Sequence, residues 1–534
     1  MKIRDGVVDT GRAAHVQQSP SVGLELELAV AEFAGGASHD ASGVFQTLLE
    51  RRQARGEEAT AMMADDRLIG LYGTAGVFSV DNGFNNLEYA FAPVGADFGH
   101  RCDSYLNHLA WTVQREVNEV MDALAVHGSG LLNLSEHPST AIDPAFYARM
   151  RAPKPIYQHW VRDRGWQHDQ GIDAKAQNGP TTGVTAAAAP RALNLMLWVA
   201  PALIALFANS PFEAGKVTGR VENRLTIWPR MFATARLAGD RRLHLPPAEP
   251  FADLAAYVRW MHGPGTAMQV VAADTAGYKG YADMLRVEGD PPLLEFLAGP
   301  ARMAQPLEGG ERQPLQPQAA HFEQQQFAQF LNARIRFRLP WQPTLAELLE
   351  ALHTPGELEV LFERCGADLY IEGRACGANF PDRELSELPD PLVAASVVMA
   401  PAALQKGLMA NPQAWSRLSA LAPWAAMPAL RDAAIRDGLR ASAAGLSLHT
   451  FAARVVEEAA AGLAGEEQWM LAYPLHVLRT GRNGADRALL QHAALEGDCA
   501  TRIQRISADR MALPLPPPPG QIQAQQSRRL GLPT

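Results

Sequence analysis

The chain has 534 residues, 47% of them apolar, and a formal net charge of -9. That is ample apolar material for a large packed core, and an acidic balance without a long basic run excludes nucleic-acid binding through a charged surface. Four cysteines (Cys102, Cys365, Cys376 and Cys499), none in a CxxC pair, exclude a small disulfide framework and point to a reducing, cytoplasmic compartment.

Residues 1–21 lack the apolar core of a signal peptide and read as a flexible N-terminus. "GLELELAVAEF" (Gly23 to Phe33) alternates leucine and glutamate with period 2 and predicts a strand. A helix is expected over 41–55, followed by strand pieces in "RLIGLYGTAGVFSVDNGFNNLEYAFAP" separated by Gly and Asn turns. Residues 103–126 carry apolar side chains at helical spacing, and "SGLLNLSEHP" and "GPTTGV" read as further strands. "ALNLMLWVAPALIALFA" (192–208) is shorter than the roughly 20 residues of a membrane span. Asn194 and Pro201 interrupt it, so a buried central helix is expected. The Gln-, Pro- and Gly-rich stretch 301–326 predicts a flexible insertion. From about 390 to 498 the pattern is helical, and 511–534 reads as a Pro-rich disordered tail. Length leaves the domain count open, roughly three domains or one large body. There is no GxGxxG after a strand and no GxxxxGK[ST] loop, which removes Rossmann and Walker-type nucleotide sites.

The opening strand raises a chemical question. Alternation puts Glu25 and Glu27 on one face, about 7 Å apart, while the leucines enter the core. A solvated strand face explains this, because glutamate is mostly exposed. A hard-cation site explains it too, since Mg²⁺ takes one or two carboxylates together with substrate phosphate oxygens. Two further segments favour the second reading. "NNLEYAFAP" isolates Glu88 in an apolar run, and "ADLYIEGRACGANFP" does the same with Glu372, with Arg374 two residues on. A sheet carrying scattered carboxylates beside arginines suits ATP, whose phosphate charge needs both.

In these segments the sequence resembles the glutamate–cysteine ligase family, its plant and proteobacterial branch most closely. "LFANSPFEAGKVTGRVENRLTIW" (Leu206 to Trp228) is the most specific match, with its Gly-Lys and an Arg four residues before an aromatic-ended strand. "GLELELAVAEF" is similar to the family's first metal-binding strand, "NLEYAFAP" to its second acidic strand, and "YIEGRACGANFP" to the strand bearing a metal glutamate and a substrate arginine. "VLRTGRNGADRAL" resembles its C-terminal helical segment.

The resemblance implies an α+β fold: an antiparallel, funnel-shaped sheet of the carboxylate–amine ligase type surrounded by helices, with a helical C-terminal part. It implies a single ligase-like catalytic domain over residues 22–500, and a ligase of glutathione biosynthesis. ATP would phosphorylate the γ-carboxylate of glutamate, and the amine of cysteine would displace phosphate. Carried over by position, Glu25, Glu27, Glu88 and Glu372 would hold Mg²⁺ or Mn²⁺. Arg224 and Arg374 would serve catalysis and substrate binding. Where the family places a polar His or Gln, this chain offers Thr182 or Thr185. The alternatives are a related ATP-dependent ligase using a different amino acid or amine, or a non-catalytic relative. ATP, glutamate and an amine acceptor are the expected partners, with no nucleic acid and no membrane; the acceptor and the oligomeric state are left open. "YQHWVRDRGWQHDQG" (157–171) concentrates aromatic, His and Arg side chains and reads either as a mixed loop or as a lid or substrate wall.

Overall fold

The computed structural model describes residues 21–95, 104–267, 270–272, 284–324 and 331–519. The N-terminal segment before residue 21, Cys102 and the chain beyond residue 519 lie outside the described residues.

The alternating segment forms β1, Val22–Glu32. Leu24, Leu26 and Leu28 are buried, and each removes about 2 kcal/mol worth of apolar surface from water. After the expected helix α1 (Gly43–Ala54) come β2 (Ala59–Ala64), β3 (Arg67–Gly73), β4 (Gly76–Gly83) and β5 (Asn86–Phe91), a meander turned at Gly and Asn positions. Helix α2 (Tyr105–Val126) starts on Ser104, whose hydroxyl accepts from the Leu106 and Asn107 amides. β6 (Ser129–Leu131) and β7 (Asn178–Val184) follow, and the strands Ala333–Arg338 and Asp368–Gly373 complete a nine-stranded sheet. Across the sheet the order is Ala333–Arg338, Asp368–Gly373, β7, β1, β5, β4, β3, β2, with β6 paired to the end of β1. Every pairing described in it is antiparallel. The α+β fold, the antiparallel sheet and the helical C-terminal part are as the sequence predicts.

One face of the sheet is closed by helices. Helices α1 and α2 are tied to it by Arg52, which donates to Glu116 at 2.5 Å and Glu119 at 2.9 Å, while the Tyr89 hydroxyl donates to Glu116 at 2.6 Å. Helix Ala189–Phe207 is long and apolar enough to cross a membrane by composition alone, yet 89% of its most apolar window is buried against the protein. It is a core helix, as expected, running beneath the strands Ala333–Arg338 and Asp368–Gly373. Helix Ala400–Ala410 packs on β7, where the Gln405 amide donates to the carbonyls of Ile371 (2.9 Å) and Pro180 (3.2 Å) and to the Thr182 hydroxyl (3.2 Å). One side chain thus stitches two strands from beneath.

Helices Ala400–Ala410 and Leu448–Gly462 approach so closely that a Cβ built on Gly407 would lie 2.2 Å from the Ala459 carbonyl oxygen. Because that obstacle is backbone, a helix must move to make room. Gly407→Ala is expected to cost about 2–3 kcal/mol and to lower the midpoint of thermal unfolding by several degrees; an unchanged midpoint would show that the helices part freely.

Two expectations are corrected. The stretch 301–326, read as flexible, contributes strands Arg302–Pro306 and Gln313–Leu315 to a second sheet with Val271–Ala272 and Met284–Val287, then helix Ala319–Gln324. The tail read as disordered from 511 is docked as far as it is described. Met511 pairs with Leu132, and the Leu513 amide donates to the Pro381 carbonyl at 2.8 Å. The Leu515 amide and carbonyl both bond Asn118. Composition misled there because prolines stop regular structure without preventing packing.

Candidate active site

The uncovered face of the sheet floors a cleft. Register decides what it presents. Glu27 lies directly opposite Glu88 on β5, and Glu25 opposite Ala90, so the carboxylates share this face while Leu26 and Tyr89 share the core face. Glu25, Glu27, Glu88, Arg224 and Arg374 all line the cleft, as do Asp81, Lys175 and Gln177, which the sequence had not singled out for the site. Burial pushes the Glu27 carboxyl well above its usual range, and the charges of Asp81 and Glu25 add to that against the opposing pull of Arg374 and Arg224.

The fourth glutamate is placed differently. Glu372 does not line the cleft, and its carboxylate is held by guanidiniums. Arg334 donates through two nitrogens at 2.8 and 2.9 Å, Arg336 at 2.9 Å and Arg374 at 2.8 Å. Burial alone would raise its pKa; the three arginines override that and hold it well below the ordinary carboxylate range. In this arrangement Glu372 is ion-paired with three arginines, whereas Glu25, Glu27 and Glu88 line the cleft. Arg334 and Arg336 were missed in the sequence. "ARIRFR" carries the same period-2 alternation as the first strand, with arginine in place of glutamate, and that signal was available.

Thr182 and Thr185 do not reach the cleft floor by position. Thr182 stands on the helix-covered face, bonded by Gln405, and Thr185 follows the strand and accepts from the Ala188 amide. The residues of β7 that share the floor are Gly179, opposite Glu25, and Thr181, opposite Glu372. This small, uncharged strand separates the acidic strands from the arginine-bearing ones. A Cβ on Gly179 would sit 3.2 Å from the Gly373 carbonyl oxygen, so the floor stays low at its middle.

The aromatic segment builds a wall. Helix Pro155–Arg162 and the turn after it bring Tyr157, Trp160 and His168 to the cleft. His168 is paired with the Tyr147 hydroxyl, and burial lowers its pKa to about 3, so it stands neutral. The run ending at Trp228, expected to close as a strand, is instead a 3₁₀ turn (Asn223–Thr226) leading into helix Ile227–Phe232. It aims two cleft residues. Arg224 is fixed by Glu222 at 2.9 Å, and the Trp228 ring lies 6.0 Å from the Arg374 guanidinium. Cys376 is buried, which raises its pKa and leaves it an inert thiol.

Among the described residues no three Asp, Glu, His or Cys side chains converge tightly enough to hold an ion by themselves. Two facing carboxylates with Glu25 and Asp81 beside them, one held at a raised pKa by burial and like charge, suit a hard cation that completes its shell with water and phosphate oxygens. The residues fit Mg²⁺ shared with a phosphate chain.

Comparison with known proteins bears on the same residues. The family model described as glutamate-cysteine ligase family 2 matches residues 21–274. No curated protein matches the chain in sequence. Among solved structures, the chain is similar to a glutamate–cysteine ligase from Francisella tularensis in complex with AMP. The identity is 11%, with 96% of this chain and 93% of that one covered and a TM-score of 0.45. A bifunctional glutathione synthetase from Pasteurella multocida is 12% identical, with 92% of this chain but 51% of that one covered and a TM-score of 0.40. The span of the family match contains β1, β5, β7 and the turn that carries Arg224. Residues 21–274, which carry those strands and that turn, are similar to glutamate–cysteine ligase family 2.

Proposed function

We propose that the protein is an ATP-dependent ligase that activates the γ-carboxylate of glutamate as an acyl phosphate and joins it to an amine, that of cysteine being favoured. The observation that supports this most directly is the polarity of the cleft floor. Carboxylates of β1 and β5 stand on one side of a neutral strand and the guanidiniums of Arg334, Arg336 and Arg374 on the other. A nucleotide phosphate chain needs both, and the family match covers the acidic half.

In this reading Glu25, Glu27 and Glu88 bind a divalent cation, whose charge would offset that of the β- and γ-phosphates. A γ-carboxylate oxygen of glutamate attacks the γ-phosphorus and ADP leaves. The amine nitrogen then attacks the acyl carbon, phosphate departs with its bonding electrons, and the ammonium loses a proton. Arg374 and Arg224 orient the carboxylate being activated. The wall of Tyr157, Trp160 and Trp228 keeps water from the acyl phosphate, which it would otherwise hydrolyse. Most of the rate enhancement in such a site comes from position and charge. The setting is the cytoplasm.

The test supplies the purified chain with ATP, Mg²⁺, glutamate and a panel of amines, and identifies products by mass. γ-Glutamylcysteine with matching ADP and phosphate release is the expected result. A better acceptor than cysteine would keep the ligase and change its product. Absence of ATP turnover with every amino acid would overturn the enzyme reading.

A further inference from the structure

Where the C-terminal part of the chain docks, it brings two guanidiniums to one carboxylate. Asp382 accepts from the Leu385 amide at 2.9 Å and from Asn133 Nδ2 at 2.8 Å. Arg487, in the first turns of helix Gly484–Ala494, donates its Nη1 to both Asp382 oxygens, at 2.8 and 3.0 Å. Arg510, the residue that ends helix Cys499–Asp509, approaches the same carboxylate at 3.6 Å. Asp382 is 5% exposed and each arginine 4%, so the group is shut away from water. None of the three lines the cleft.

Inside this joint charge and hydrogen bonds both fall short. Among the described residues the other carboxylate ion-paired with either arginine is Glu384, 3.4 Å from Arg487 Nη1, and its side chain is 59% exposed, so water screens it. Arg487 Nη2 is buried and has no hydrogen-bond partner. The hydroxyl of Tyr473, whose charge environment Arg487 dominates after burial, donates to Asn379 Oδ1 at 3.0 Å. The bonds Arg510 makes are long: Nε reaches the Asn133 carbonyl at 3.3 Å and Nη2 reaches Asn209 Oδ1 at 3.5 Å. Burial and the neighbouring Arg487 push the pKa of Arg510 down to about 10. Two like charges held together away from water, with donors left over, are costly unless a further negative charge meets them.

The surroundings limit what that charge can be. Asn133 and Asn209 are fully buried, and with Asp382 and the two arginines they close the joint from five segments of the chain. An organic anion with its own carbon skeleton would need an opening that this burial denies, and the buried imbalance amounts to a single charge. We propose that Arg487 and Arg510 hold a small monovalent inorganic anion, chloride being the one a cell supplies. The ion accepts from Arg487 Nη2 and from the Arg510 guanidinium. It fastens the end of helix Cys499–Asp509 to the body just before Met511, which pairs with Leu132 beyond β6. The inference is independent of the ligase reading.

The experiment melts the full chain at fixed ionic strength while sodium chloride replaces sodium gluconate, whose anion is too large for the joint. Crystals soaked in sodium bromide are measured for anomalous scattering. The wild-type midpoint is expected to rise by about 2 °C and to saturate with chloride, and bromide to give a peak between Arg487 and Arg510. Arg510→Gln leaves Asp382 paired one to one with Arg487 and is expected to lose both signals. Glu384→Gln, an exposed change that removes a competing negative charge, is expected to lower the half-saturating chloride concentration by at least about twofold. A merely structural role of Arg510 would lower the midpoint of Arg510→Gln equally in both salts and leave half-saturation in Glu384→Gln unmoved. A wild-type midpoint indifferent to the exchange overturns the proposal, since water then meets the donors. A bromide peak without chloride dependence of the melt marks an adventitious ion only and overturns it too. Should Arg510→Gln fail to fold, unchanged half-saturation in Glu384→Gln overturns it alone.

Discussion

Glu27→Gln is expected to reduce Mg²⁺-dependent ATP turnover by at least about a hundredfold, some 2.7 kcal/mol of transition-state stabilisation, while leaving the fold intact. Glu27 faces Glu88 across β1 and β5 with Glu25 and Asp81 beside it, and the amide supplies neither the charge nor the second oxygen that a cation would use. The same change should leave the metal-free protein no less stable. The folded-state pKa of Glu27 is raised by burial first and by like charges second. A carboxyl raised on folding lends stability in acid, and that stability is lost as pH climbs from the ordinary glutamate range through the raised value. At neutral pH the ionised group is therefore a cost in the absence of a cation, and Gln removes it. Turnover assays with varied Mg²⁺ and thermal melts in chelator check the two halves. Near-wild-type activity would end the role given to Glu27. Glu372 offers a contrast, because its partners are arginines, so Glu372→Gln should disturb phosphate binding far more than Mg²⁺ dependence.

Arg374→Lys is expected to lower kcat/KM for ATP turnover by at least about tenfold, or 1.4 kcal/mol. Its guanidinium bonds Glu372 at 2.8 Å and lies 6.0 Å from the Trp228 ring centre. Burial would depress its pKa, but Glu372, Glu27 and Glu25 together raise it, so it stays charged throughout the working range. Lysine keeps the charge and loses the planar fork and the stacking. Steady-state kinetics in ATP and in glutamate separate the outcomes. If neither parameter moves, Arg374 only balances charge.

How far the sequence reveals this molecule depends on the element. β1 is plain, because leucine and glutamate alternate without exception and one face must be buried. The same rule would have found the strand Ala333–Arg338, where arginine alternates with Ile and Phe. Thr182 failed on parity, since counting to a threonine does not say which face it takes; the register with β1 does, and it selects Gly179 and Thr181. Three of the four glutamates come together because they sit on neighbouring strands β1 and β5. Glu372 is separated from them by β7, and no local pattern shows that its partners will be arginines from a segment some 35 residues upstream. The docked part of the tail was illegible for a similar reason. Its polar groups are satisfied by Asn118 and Gln114 from a helix nearly four hundred residues earlier.

The antiparallel order of the large sheet also sets a schedule for synthesis. The meander β2 to β5 is made of near neighbours in sequence, and β1 joins it soon after, so this acidic half can close while the ribosome is still working. β7, on its far side, must wait for Asp368–Gly373, whose own partner strand emerges first and has nothing else to pair with. Until then β7 is an open edge, and loop closure across that distance is slow. A fragment ending near residue 274 would carry every strand of the family match and be left permanently at this stage, with β7 free to recruit strands from other chains. The arginine strands thus finish the sheet as well as the site, and folding yield in the cell should track their arrival more closely than the stability of the acidic half.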